Sequence, residues 1–162
     1  MTNSLKTVQR QNMTNPINDE SMKKNLRASI FSADGFLGND NRSPEEIIAA
    51  DEQAMKERGI ELRELVKLLK SAYQIARDAL GVEVNLRPGI TAVFYESMGR
   101  IPSPFLGDGV FEKGEVVIIE TQTGLQLVLT PLGIHLIEKY HFFQGTGCRY
   151  RIDPIVVIEL LG

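Results

Sequence analysis

Side chains able to do chemistry near neutral pH are concentrated in one stretch, residues 130–151, with the sequence TPLGIHLIEKYHFFQGTGCRYR. The stretch holds both histidines of the chain, its single cysteine and two closely spaced arginines. Histidine exchanges protons near pH 7, arginine pairs bind carboxylates or phosphates, and a thiolate can act as a nucleophile. The sequence therefore places the candidate site here, although no motif in it specifies a reaction.

The first part of this stretch has the signals of a helix. Thr130 can cap the first turn with its hydroxyl, and Pro131 fits the first helical position. The pattern predicts a helix from Pro131 to about Phe143 that is stopped by Gly145, with a strand as the alternative.

On such a helix, His135, Glu138 and His141 would descend one side, with Glu138 one turn from each histidine. We expect a polar stripe in which either histidine could act as acid or base while Glu138 orients it. The histidines would be about 120° apart and about 9 Å apart along the axis, so one ion could not readily bind both. No metal ligands are therefore assigned within one chain, and a metal site would have to be shared across a dimer.

The cysteine follows the predicted helix, in a segment that we expect to be extended from Cys148 to Asp153. Alternation would then turn Cys148 toward the apolar interior, where a thiol behaves as a small hydrophobe. We expect a structural cysteine, because a nucleophilic one would need a base such as His141 to lower its pKa.

The two arginines would point from the other side of the same segment, next to a glycine-rich turn. Arg149 and Arg151, with backbone amides at Gly145 and Gly147, could hold a carboxylate or phosphate. The alternative is that both arginines pair with acidic neighbours such as Glu120, Glu138 or Asp153 on a solvated surface.

The elements that must position this site begin after a polar leader. Residues 1–27 lack helical or strand periodicity and predict a disordered tail, followed by a single domain over residues 28–162. A short strand is expected at residues 28–32, and residues 34–43 are dense in turn formers.

Two helices are predicted next. Ser43, Pro44 and Glu46 form a capping pattern that starts a helix ending near Gly59. A second helix over residues 60–80 carries one apolar stripe, which must be buried against another element.

After Gly81 the apolar residues alternate, which predicts strands at residues 82–86, 90–95, 116–119 and 125–129. The last two strands are joined by a short polar turn and predict a β-hairpin.

Between the second and third of these strands, residues 98–114 carry two prolines and four glycines. They predict a long loop, which could be a lid or a binding loop. Its apolar residues, Phe105 among them, favour a structural loop that packs back on the body of the protein. At the end of the chain, Asp153, Pro154 and Gly162 favour a short helix, with a strand as the alternative.

The predicted fold is α+β: an N-terminal helical pair packed on a mostly antiparallel β-sheet, with a late helix. The 18 basic and 21 acidic residues give a net charge of −3, which argues against nucleic acid as a partner. No apolar run is long enough to span a membrane, and the first residues lack a secretory apolar core, so we expect a cytoplasmic protein.

The leading functional hypothesis is a small binding or regulatory module that recognises an anionic ligand or a protein partner through residues 135–151, as a monomer or as a homodimer. The alternative is a small enzyme that uses His135 or His141 in acid–base chemistry on an acidic substrate. A further alternative is a metal-binding protein with a site shared across a dimer. The sequence indicates no particular cofactor.

Overall fold

The computed structural model describes residues 35–105 and 107–162. The predicted tail at residues 1–27 and the predicted strand at residues 28–32 lie outside these ranges. In chain order the described elements are α1 (Pro44–Glu57), α2 (Leu62–Asp78), β1 (Val84–Arg87), β2 (Ile90–Tyr95), β3 (Arg100–Pro102), β4 (Val110–Glu112), β5 (Glu115–Glu120), β6 (Gln126–Leu129), α3 (Pro131–Tyr140) and α4 (Pro154–Leu161).

The predicted α+β class is confirmed. Strands β1, β2, β5 and β6 form an antiparallel sheet in the order β1-β2-β5-β6, while β3 and β4 form a separate two-stranded sheet. The predicted hairpin is the β5–β6 pair, in which Val117 lies opposite Val128. Within the described residues, no helix is long and apolar enough to cross a membrane.

Three helices begin with the side-chain caps that the sequence predicts. Ser43 accepts a hydrogen bond from the Glu46 amide at 3.2 Å, and Thr130 accepts one from Gly133 at 2.9 Å. Asp153 caps α4 in the same way, so the helical alternative for the last segment is the correct one. A proline follows each cap at the first helical position, where its missing amide hydrogen costs nothing.

The helix that carries His135 is shorter than predicted. It ends at Tyr140, and His141 adopts a left-handed conformation with φ of 57° that closes the helix. Phe142 and Phe143 then leave the helix axis and are almost completely buried. Burial of these two rings in separate clusters explains why the chain turns at His141, four residues before the glycine that was expected to stop the helix.

The main hydrophobic core lies between α2 and the four-stranded sheet. The apolar stripe of α2, including Leu65, Leu69 and Ala76, is fully buried, as are Val116 and Ile118 on β5. The alternating burial along β5 follows from the two-residue repeat of a strand.

A second, smaller cluster lies between α1, α3 and the β3–β4 hairpin. It is built around Phe36, Ile47, Phe105, Leu136 and Phe142. Helix α3 contributes to both clusters and is therefore fixed on two sides.

The prediction of an irregular loop over residues 98–114 was wrong, because β3 and β4 lie within it. The register pairs Ile101 with Phe111, and the strands are only three residues long. The expectation that the segment packs back on the body is confirmed for Phe105, whose ring stacks on Tyr140 with centroids 3.9 Å apart.

Candidate functional site

His135 lies on α3 and contacts a carboxylate from the β3–β4 hairpin. Its Nε2 is 2.6 Å from Oδ2 of Asp108, whose side chain is only 2% exposed. Lys139 reaches the other oxygen at 2.5 Å, and the Ser103 hydroxyl donates to Oδ2 at 2.8 Å. Burial alone would raise the pKa of Asp108, but the hydrogen bonds from Lys139, Ser103 and His135 outweigh it and lower the pKa to about 2.

The predicted stripe of three polar residues is not formed as expected. His141 lies at the helix end rather than on the helix, and its Nδ1 is 2.9 Å from Glu52 of α1. Glu138 forms an ion pair with Lys70 of α2 at 2.6 Å and is not bonded to either histidine. The two histidines therefore have separate acidic partners and line different surface depressions.

Arg151 is largely buried and is held by the protein itself. Its guanidinium donates two hydrogen bonds, of 2.9 and 2.7 Å, to the carboxylate of Asp51 on α1. A third, of 2.8 Å, goes to the backbone carbonyl of Gln144, and Asp153 lies 3.8 Å away. This arginine joins α1 to the late segment and has little capacity left for a ligand.

Arg149 is more exposed and pairs with Glu115 at the start of β5. Its Nη1 donates to Glu115 at 2.9 Å and to the Tyr150 hydroxyl at 3.0 Å. The Tyr150 hydroxyl also donates to Glu115. Burial and the hydrogen bond to this carboxylate raise the pKa of Tyr150. Both arginines therefore form ion pairs, as in the alternative expectation. Their closest partners are Asp51 and Glu115, which the sequence did not suggest, whereas Asp153, which it did suggest, is a more distant partner of Arg151.

The glycine-rich turn already binds a carboxylate of the same chain. The Thr146 amide donates to Asp40 at 3.0 Å, and Arg42 donates to both Asp40 oxygens at 2.9 and 2.7 Å. The Arg42 hydrogen bonds, assisted by those from backbone amides, hold the pKa of Asp40 well below its usual range despite its burial. The Gly145 amide donates to the Phe36 carbonyl at 2.8 Å. The anion cradle predicted in this turn is therefore filled by Asp40.

Gly145 and Gly147 serve close packing against the segment before α1. A Cβ atom on Gly145 would lie 2.1 Å from the Leu37 carbonyl oxygen. Gly147 has φ of 84°, and a Cβ there would lie 2.4 Å from Oδ1 of Asn39. Both distances are far below any real carbon contact, so these positions require glycine.

The segment around the cysteine was expected to be extended, and this was wrong. The Cys148 amide donates to the Gly145 carbonyl and the Arg151 amide donates to the Cys148 carbonyl, so two successive turns replace the strand. The expectation of an inward-facing cysteine is confirmed, since Cys148 is 7% exposed.

A cavity of about 250 Å³ lies between the β3–β4 hairpin, the start of β5, the first turn of α3 and the two turns after Phe143. Apolar surface comes from Phe36, Ile101 and Leu132. The polar side chains that line it are Ser97, Glu112, Lys113, Glu115, Thr130, Gln144 and Tyr150.

Gln144 is the most buried of these polar residues. It is 3% exposed and has φ of 71°. Its Oε1 accepts a hydrogen bond from the Cys148 thiol at 3.2 Å, whereas its Nε2 has no partner among the described residues. A Cβ placed on Gly133 would lie 3.6 Å from this Nε2 and 3.1 Å from the Thr130 hydroxyl. The amide nitrogen therefore lies beside the first turn of α3.

The acidic side chains that line the cavity have ion-pair partners, whereas the basic one has none among the described residues. Glu112 is paired with Arg77 at 3.4 Å, and Glu115 is bonded to Arg149. Lys113 is half-buried, and its ammonium group has no ion pair or hydrogen bond within residues 35–105 and 107–162. The unpaired charge that lines the cavity is thus positive.

Sequence reasoning did not single out Gln144 or Lys113. Both have uninformative neighbours in the chain, and only folding brings them to one cavity. The position of Gln144 directly before the Gly145 turn was only a weak indication of its role. A left-handed backbone conformation is common where a chain reverses, so it does not mark a binding residue.

Comparison with known proteins gives no relative: no protein-family model matches the chain, and no match is found among curated proteins or solved structures. Among the described residues, no three His, Cys, Asp or Glu side chains are grouped so that they could hold a metal ion. The geometry of the cavity is therefore the main indication of function.

Proposed function

We propose that the protein is a small binding module that takes an anionic ligand in the cavity beside the first turn of α3. The observation that carries this proposal is the side-chain amide of Gln144, a residue that is only 3% exposed, lines the cavity and has no partner for its Nε2 among the described residues. An amide N–H that faces the cavity can donate to a ligand oxygen, and a hydrogen bond of this kind contributes about 0.5–1.5 kcal/mol.

The start of α3 supplies further positive character. Thr130 caps the Gly133 amide, but the amide of Leu132, at the second helical position, has no carbonyl partner within the helix. The aligned peptide dipoles of the ten-residue helix also favour negative charge at this end. Leu132 and Gln144 line the same cavity, so one anion could accept from both amides.

Lys113 favours an anionic ligand over a neutral hydrogen-bond acceptor. The two carboxylates in the cavity wall already have arginine partners, and Lys113 has none in the described part of the chain. A charged ligand oxygen would give it a charge-assisted hydrogen bond, which is about twice as strong as a neutral one.

Isothermal titration calorimetry with acetate, inorganic phosphate and phenylacetate tests the proposal. We expect saturable binding of at least one of these anions. Lys113→Gln should weaken it at least about tenfold, because a charged hydrogen bond contributes about 1.5–3 kcal/mol. Lys67→Gln is the matched control, since Lys67 is exposed on α2, pairs with Glu64 and does not line the cavity.

A second variant tests the buried amide itself. Gln144→Glu keeps the size of the side chain but replaces the donor with an acceptor, so anion binding should be lost. Circular dichroism must show that this variant is folded. Failure of all three anions to bind, or unchanged affinity in both variants, would contradict the proposal.

The second candidate function is acid–base catalysis at His135, favoured by the 2.6 Å contact with Asp108. A buried carboxylate that fixes the imidazole is the usual partner of a catalytic histidine, and Asp108 takes the role first expected of Glu138. The measurement is exchange of pyruvate methyl protons for deuterium by NMR. Acceleration that His135→Ala abolishes and His141→Ala retains would favour this function, and an inactive wild-type protein would count against it.

The other expectations from the sequence stay predictions. They are a protein partner, a homodimer, a metal site shared across that dimer and a cytoplasmic location. Analytical ultracentrifugation and elemental analysis of the purified protein would test the second and third directly.

A further inference from the structure

We infer that the ligand is a monocarboxylate with an apolar body of about seven carbon atoms, such as an arylacetate. This inference rests on the proposed anion-binding function and specifies its ligand class. It follows from three properties of the cavity: its volume, the separation of polar and apolar lining, and the number of unpaired charges.

The volume indicates the size of the ligand that the cavity could enclose. A protein cavity of about 150 Å³ accommodates benzene, which has six non-hydrogen atoms. At the same packing, a cavity of about 250 Å³ accommodates about ten such atoms. A carboxylate group uses three of them, which leaves about seven carbon atoms for the rest of the ligand.

The lining indicates what those atoms are. The Gln144 amide lies beside the first turn of α3, so the donors for a carboxylate are close together. The rings of Phe36 and Tyr150 and the side chain of Ile101 supply carbon surface to the same cavity. Such surface gains free energy by burying apolar groups and gives nothing to a fully polar ligand such as phosphate.

The charges limit the ligand to one negative charge. Lys113 is the cavity-lining cation without an acidic partner in the described residues. Glu112 and Glu115 lie in the same wall, and each is balanced by one arginine. A second negative charge on the ligand would therefore face two carboxylates without a further cation, and like charges at short range repel.

Calorimetric titrations of the full chain with four probes test this inference. Phenylacetate should bind at least about tenfold more tightly than acetate, because each buried methylene contributes about 0.8 kcal/mol, or about fourfold in affinity. It should also bind at least about tenfold more tightly than inorganic phosphate. Phenylacetamide, which has the same shape but no charge, should show no saturable binding.

A variant on the hairpin shows whether the apolar body lies in this cavity. Ile101→Ala should weaken phenylacetate about threefold or more and leave acetate within about twofold, because only the larger ligand reaches this side chain. Ile101 is on the short β3 strand outside the main core, and thermal unfolding of the variant would show whether the fold persists.

The outcomes separate this inference from the function on which it rests. If acetate or phosphate binds as tightly as phenylacetate and Lys113→Gln weakens that binding, anion binding stands and the monocarboxylate class is overturned. If phenylacetamide binds as well as phenylacetate, the charge is not recognised and both proposals fail. If none of the four probes binds, the proposed function fails as well.

Discussion

Asp108 provides the charged contact between the β3–β4 hairpin and α3, beside the apolar packing of the same elements, and removal of its charge should destabilise the protein at neutral pH. Its carboxylate accepts from Lys139 at 2.5 Å and from Ser103 at 2.8 Å, and it lies 2.6 Å from His135. The substitution Asp108→Asn keeps the shape of the side chain and removes the charge. It therefore tests the electrostatic part of this attachment.

The expected loss of stability in Asp108→Asn follows from the lowered pKa of Asp108. The Asp108 pKa falls from 3.8 to about 2 in the folded protein, where hydrogen bonds from Lys139, Ser103 and His135 outweigh burial. At 1.36 kcal/mol for each factor of ten, this corresponds to about 2 kcal/mol at neutral pH. The carboxylate is 2% exposed but its partner Lys139 is 54% exposed, so solvent screens part of this interaction and about 2 kcal/mol is its upper value.

The direction of the Asp108 pKa shift determines how its contribution to stability depends on pH. Because the folded pKa is the lower one, the stabilisation is fully present above 3.8 and is lost as the pH falls through about 2. Urea unfolding of the wild type and of Asp108→Asn at pH values from 7 down to 2 measures it. The wild type should be more stable by up to about 2 kcal/mol at pH 7, and the difference should shrink below pH 3.8.

Glu138→Gln is a suitable control, because Glu138 forms an exposed ion pair with Lys70 and should contribute less than about 1 kcal/mol. A difference between wild type and Asp108→Asn that stays constant from pH 7 to pH 2 would refute the electrostatic reasoning. So would a difference at pH 7 no larger than that of the control.

Two further predictions concern the packing of the late segment. Arg151→Ala should lower the free energy of unfolding by about 3 kcal/mol or more, because it leaves the carboxylate of Asp51 buried without its partner, whereas Arg149→Ala should cost less than about 1 kcal/mol. Equal effects of the two variants in urea unfolding would contradict this ranking. Gly145→Ala should destabilise by about 2 kcal/mol or more, since its methyl carbon would lie 2.1 Å from the Leu37 carbonyl oxygen, and a variant as stable as the wild type would be inconsistent with that contact.

Features decided by neighbouring residues could be predicted from the sequence. The pairs Ser43 and Pro44, Thr130 and Pro131, and Asp153 and Pro154 all start helices, because a cap satisfies backbone amides within one turn. The strands that alternate apolar residues were also predicted, since one face of each is buried in the main core.

Features decided by distant contacts could not be predicted in this way. The β3 and β4 strands are three residues long, too short for a recognisable alternation. The end of α3 at His141 depends on the burial of Phe142 and Phe143 in two clusters. No local pattern marks either event.

The site expected from the sequence differs from the cavity in the structure for the same reason. The partner of Arg151 is Asp51, 100 positions earlier in the chain, so spacing within residues 130–151 could not show that this guanidinium is occupied. The unpaired donors at Lys113 and Gln144 become neighbours of one cavity only in the folded chain.

Nuclear magnetic resonance titration of ¹⁵N-labelled protein with phenylacetate tests the central proposal most directly. The proposal predicts saturable shifts of the Gln144 side-chain amide and of the Leu132 backbone amide, weakened in Lys113→Gln. Saturable shifts centred on His135 and Lys70, with the Gln144 side chain unchanged, would contradict it and place the ligand in the depression of the second candidate function.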